Sequence, residues 1–181
     1  MGKKIFLSHS GKDKAFAFKI ATQLKNIMEL NSSSVIDFFN TSEMQHRFTA
    51  FEKIDSSGDN FEEVNIKWEN KLRSYLEQNL LSSDIYLLLV TKRSLLENSK
   101  WILFEMETAA NETKKRGKSF FFPCLYNGAS FNELPEIAKM FQALDLNAPM
   151  GFTKLATVLE EPVFIKQDLV PGFARRKPDR N

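Results

Sequence analysis

Apolar positions along the chain switch between two rhythms, and the switches predict alternating strands and helices. The opening KKIFLSHS has a compact apolar centre and stops at small polar residues, as a short buried strand running into a loop does. In SGKDKAFAFKIATQLKNIM, Phe16, Ile20, Leu24 and Ile27 recur at helical intervals behind Ser10 and Asp13, which have capping-box spacing. SVIDFF, Ser34 to Phe39, predicts a second strand after the turn-like Asn31-Ser32-Ser33. Strand, helix and strand at this spacing imply a parallel pair.

From Asn40 to about Val64 the period is lost, which predicts a long connection with room for one short helix. Periodicity resumes with Trp68, Leu72, Tyr75, Leu76 and Leu80 on one helix face, then IYLLLV, apolar throughout and therefore expected in the middle of the sheet. The next helix, WILFEMETAAN, stacks Trp101, Glu105 and Ala109 on one line. After RGK, SFFFPCLY is a fourth strand whose length or pairing Pro123 limits, and FTKLATVLEE supplies a last helix. The order predicts a flavodoxin-like three-layer α/β fold, with a central, mostly parallel sheet of four to five strands flanked by helices. One domain is expected over 1–165, and the basic, proline-punctuated end over 166–181 reads as a tail.

A chain of 181 residues suits one domain with a proper core, and 43% hydrophobic with 27% charged residues excludes a disordered or fibrous chain. A net charge of +2 gives no reason to expect a nucleic-acid or membrane partner. Cys124 is the single cysteine, so no internal disulfide forms. No apolar stretch reaches the length of a membrane span or follows a charged signal-peptide start, and the expected location is cytoplasmic.

In an open α/β sheet, ligands bind beyond the carboxyl ends of the strands. Three loops gather there: Ser8 to Asp13, Phe39 to Ile66, and Thr91 to Trp101. No glycine-rich phosphate loop is present, which removes P-loop hydrolysis and ordinary dinucleotide redox binding. His9, His46 and Cys124 are too scattered for zinc, and no metal site is expected. Ser8, His9 and Asp13 contain the residue types of a triad, but neighbours in one loop rarely point at one another, and capping and turn roles fit them better. What remains at the productive edge is Ser8, His9 and Ser10 after the first strand, Phe39 and Asn40 after the second, Trp68 at the start of one helix, and Trp101 with Glu105 at the start of another. Each has an ordinary alternative: Trp68, Trp101 and Phe39 as core, and Glu105 as a solvent-facing helix glutamate.

Taken in order, IFLSHSGKD, VIDFF, SSDIYLLLVTKRSLLENSKWILFEME and FFFPCLYNG followed by LPEI resemble the boxes of the Toll/interleukin-1 receptor (TIR) domain in its bacterial form. The most specific piece is W-x-x-x-E, Trp101 to Glu105, preceded by Ser99, and the resemblance runs from about Lys3 to about Glu161. In enzymatic TIR domains that glutamate cleaves the nicotinamide-ribose bond of NAD, so the resemblance implies a catalytic Glu105. It also implies a pocket shaped by Trp101, with Ser99 beside it, an aromatic near the nicotinamide at Trp68, a neighbouring Phe39, and a substrate-contacting loop of Ser8, His9, Ser10 and Asp13. NAD is then the substrate and no cofactor is needed. The implied activity is hydrolysis of NAD or its conversion to a cyclic or conjugated ADP-ribose signal, in antiphage defence of the Thoeris kind, with TIR-TIR self-association and a separate effector that reads the product. Two alternatives stay open: a non-catalytic TIR-TIR assembly module, and a nucleoside deoxyribosyltransferase-like enzyme.

Overall fold

The computed structural model describes residues 3–31, 37–40, 61–96 and 100–160, with the backbone alone at 29–31, 37–40, 61–68, 96 and 100. Strands β1 (Lys4–Ser8), β2 (Asp37–Asn40), β3 (Ile85–Thr91), β4 (Phe121–Tyr126) and β5 (Leu144–Asp145) form one sheet in the order β2-β1-β3-β4-β5. Every neighbouring pair is parallel. Helices α1 (Lys14–Asn31), α2 (Phe61–Leu81), α3 (Lys100–Arg116), α4 (Glu136–Lys139) and α5 (Gly151–Glu160) accompany them. The expected three-layer fold is therefore present.

All seven residues of β3 are buried, and β3 sits at the centre of the sheet as its apolar sequence requires. Alternation sorts the side chains into two layers. Ile5, Leu7, Ile85, Leu87, Leu89, Phe122 and Cys124 pack with Ala17, Ile20, Leu24 and Met28 of α1 and Leu155 and Leu159 of α5. Phe6, Tyr86, Leu88, Val90, Phe121 and Leu125 pack on the other face with Leu72, Leu76 and Leu80 of α2 and Met106 and Ala109 of α3. The core positions of each helix recur every three or four residues, so its apolar stripe can cover one sheet face.

Two details differ from the sequence reading, and a third, at Pro123, refines it. Helix α2 starts at Phe61, inside the segment expected to be irregular, so Trp68 lies within the helix and not at its start. Strand β5, with two residues, is too short to show a period. Pro123 is a full member of β4, aligned with Leu88 of β3. Leu125 turns its carbonyl toward the β5 side, where it accepts Leu146 N–H, and by alternation Pro123 turns its donorless nitrogen to that same side. Pairing with β5 begins only after it, at Cys124. The tail expected over 166–181 lies outside the described residues.

Candidate active site

Ser8 ends β1 and shares the facing of Phe6, two residues earlier, so it turns toward the α2–α3 layer. There it meets Glu105, on the second turn of α3, although the two are 97 positions apart in sequence. Ser8 Oγ donates a hydrogen bond to Glu105 Oε2, and the phenol of Tyr86 lies 3.4 Å from the same oxygen. Glu105 is only 3% exposed, which overturns its reading as a solvent-facing glutamate. Burial pushes its carboxyl up from the ordinary 4.5 to about 7, while the hydrogen bonds from Ser8 and Tyr86 pull the other way. Burial, and then the neighbouring Glu105 charge, hold the Tyr86 phenol well above its ordinary range, so it remains a donor.

The rest of the first loop serves a second purpose. Ser10 caps the 3₁₀ turn Gly11–Asp13 by accepting from Lys12 N–H at 3.2 Å, and Asp13 N–H donates to the Ser10 carbonyl at 2.9 Å. The Asp13 side chain does not complete a capping box. It is fully buried and accepts from Thr91 Oγ1 at 2.7 Å. Thr91 has the facing of Leu87 and Leu89, toward α1, which is why it reaches the start of that helix. Thr91 N–H in turn donates to Ser94 Oγ at 2.8 Å, and Ser94 N–H to Thr91 Oγ1 at 3.0 Å. Asp13 thus fastens the loop after β1 to the loop after β3. With Ser8 on Glu105 and Asp13 on Thr91, no Ser-His-Asp relay forms.

Of the residues expected at the site, Ser8 and Glu105 come together, while Asp13 and Ser10 hold the loop's shape. His9 is buried beside Ser8. Trp101 is half-buried against the α2–α3 core, one turn before Glu105. The side chains of Phe39 and Trp68, and all of Ser99, lie outside the described residues. Among the described residues no cluster of ligating side chains could hold a metal. Tyr86 joins Ser8 and Glu105 without belonging to the expected set, and its sequence signal is a hydroxyl inside an otherwise aliphatic strand, since a buried phenol needs a partner.

A cavity of about 260 Å³ lies alongside, walled by Leu88, Val90, Leu95, Ile102, Met106 and Leu134. Glu105 does not line it, because Ile102 and Met106 stand one position on from Trp101 and Glu105, about 100° around the helix. The apolar cavity and the carboxyl are therefore adjacent but separate features of α3.

No protein-family model and no curated protein matches the chain. Among solved structures, a metazoan TIR-STING receptor from C. gigas in complex with 2',3'-cGAMP superposes with a TM-score of 0.54 at 16% identity, over 87% of this chain and 39% of that one. The fold is TIR-like. A second structure of a C. gigas TIR-STING receptor gives 0.51 at 16% identity, over 88% of this chain and 41% of the other. A prokaryotic SEFIR domain gives 0.44 at 16% identity, over 99% and 100% of the two chains. The chain spans about two fifths of the length of the TIR-STING receptors. On this TIR-like frame the W-x-x-x-E motif occupies the first two turns of α3, and its glutamate meets Ser8 at the carboxyl end of β1, level with Leu88 in the middle of β3. Among the described residues no helix is long and apolar enough to cross a membrane.

Proposed function

We propose that the protein cleaves the N-glycosidic bond of NAD, with Glu105 as the catalytic residue. The observation that carries this reading is the buried Glu105 carboxyl at the carboxyl edge of a TIR-like sheet, held by Ser8 and Tyr86. When the bond from ribose C1 to the nicotinamide nitrogen breaks, its electron pair leaves with neutral nicotinamide and positive charge develops on the ribose. A carboxylate already stripped of water stabilises that charge more strongly than a hydrated one, and no solvent has to reorganise. Water then adds at C1 and loses a proton, giving ADP-ribose. Addition of a nucleophile from the same or another molecule gives a cyclic or conjugated product, the signal expected of an antiphage enzyme with a separate reader.

The test is NAD consumption and product mass in the purified protein, Glu105→Gln and Glu107→Gln, dilute and concentrated. Glu107 is exposed and roughly 200° around the helix from Glu105, so it serves as the control. Glu105→Gln is expected to lose on the order of 3 kcal/mol of transition-state stabilisation, more than a hundredfold in rate, and Glu107→Gln to keep most activity. Equal rates in both would remove Glu105 from the reaction. A second reading, TIR-TIR assembly without catalysis, draws on exposed apolar side chains such as Phe18, Phe131 and Met150. Intact NAD at every concentration, together with concentration-dependent oligomers, would favour it.

A further inference from the structure

Tyr86 carries the single hydroxyl in the run IYLLLV, and its ring is fixed from both sides. Phe6 of β1 lies 5.7 Å away and Phe121 of β4 5.0 Å away between ring centroids, so two neighbouring strands fix the place to which the phenol is delivered. That place is Glu105 Oε2, the oxygen that also accepts from Ser8, whereas Oε1 accepts no hydrogen bond from the described residues. We infer that Tyr86 is a positioning residue that, with Ser8, grips the Glu105 carboxylate by Oε2 and turns Oε1 toward the charge that develops on a ribose losing its base. The proposal rests on the NAD-cleavage reading for its consequence in rate, but the grip itself is independent of any substrate.

Of the other ionisable groups on the elements around Glu105, His9 is the near one, and the others are stacked, paired, packed in the apolar layer or exposed. His9 follows Ser8 at the end of β1. Arg73 of α2 lies over the Phe104 ring at 4.6 Å, and Tyr75 packs in the apolar cluster. Lys139 and Glu136 of α4 pair with each other at 2.6 Å. β4 turns Phe121 and Leu125 to this face. On α3 itself, Glu107 is exposed. Ser8 and Tyr86 are therefore the groups that adjust the carboxyl against its burial, both by donating to the charged form.

Tyr86→Phe deletes one hydroxyl and keeps the ring. The expected result is a fall in kcat of about tenfold with KM within about twofold, and an acid limb of the pH–rate profile displaced to higher pH, because the charged carboxylate has lost a donor. A merely structural phenol would leave that limb in place. The same displacement is expected without substrate, in the pH dependence of unfolding, and should vanish when Tyr86→Phe is made in a Glu105→Gln background. If Tyr86→Phe fails to fold, 3,5-difluorotyrosine at position 86 keeps the ring and acidifies the phenol, and the acid limb should then move to lower pH. An acid limb and an unfolding profile that both stay put overturn the proposal. If the unfolding profile moves while the wild-type protein leaves NAD intact, the grip on Glu105 stands and the NAD-cleavage reading falls.

Discussion

Replacing Glu105 by glutamine should make the protein more stable at alkaline pH, although it removes the proposed catalytic group. The carboxyl ionises near 4.5 in the unfolded chain and near 7 in the fold, so the folded state holds its proton more tightly. This contribution to stability is complete below pH 4.5 and is lost as pH rises through 7. The gap between the two values corresponds to roughly 3 kcal/mol once both states are ionised, and to about 2–3 kcal/mol of loss between pH 5 and pH 8. Burial sets the scale, since Glu105 is 3% exposed and its two hydroxyl partners recover only part of the lost hydration. Glutamine keeps a carbonyl to accept from Ser8 and Tyr86 and never charges. Urea unfolding of both proteins at pH 5, 6, 7 and 8 checks the reasoning, because the difference between them cancels every other titrating group. The gap should widen with pH in favour of Glu105→Gln, by roughly 5–10 °C if melting temperature is read instead. A gap that stays constant from pH 5 to pH 8 would show that Glu105 is not desolvated in the fold and would remove the electrostatic argument for its role.

Thr91→Val leaves the fully buried Asp13 without its hydroxyl donor while Asp13 Oδ1 already lacks one, and a loss of about 2–4 kcal/mol in urea unfolding is expected; a loss under about 0.5 kcal/mol would mean that water replaces the hydroxyl. Cys124 is buried and its thiol is pushed up to about 12, so a disulfide reagent at pH 8 should label it only after unfolding; fast labelling of the native protein would contradict the packing around β4.

The layers of the fold were legible because long periodic segments report them directly. Leu72, Leu76 and Leu80 declare a helix face, and the unbroken IYLLLV declares a central strand. β5 was illegible because two residues held by their neighbour β4 carry no rhythm. The start of α2 is carried by Phe61, Val64 and Trp68, which run at three- and four-residue spacing into Leu72, but the aperiodic, mixed-charge stretch with Gly58 just before them masks where that rhythm begins. At the site, Glu105 stood out through the W-x-x-x-E motif, not through any pattern that announced its burial. Its pairing with Ser8 depends on register between β1, β3 and α3, which no local stretch encodes. Asp13 was placed with Ser10 by spacing, whereas its partner Thr91 is 78 positions away and follows from the opposite facing of the β3 end.

The span between Ser8 and Glu105 also bears on how the protein is made. β1 lies between β2 and β3 in the sheet, so a nascent chain that has released only β1, α1 and β2 has the serine end of the site and nothing for it to meet. Contacts that close so long a loop form late, after the entropy of closure has been met by β3 docking beside β1. Synthesis adds roughly 5–20 residues per second, so several seconds separate the emergence of Ser8 from that of Glu105. During that interval the ribosome-bound chain lacks the Ser8–Glu105 contact, which forms only with the docking of α3.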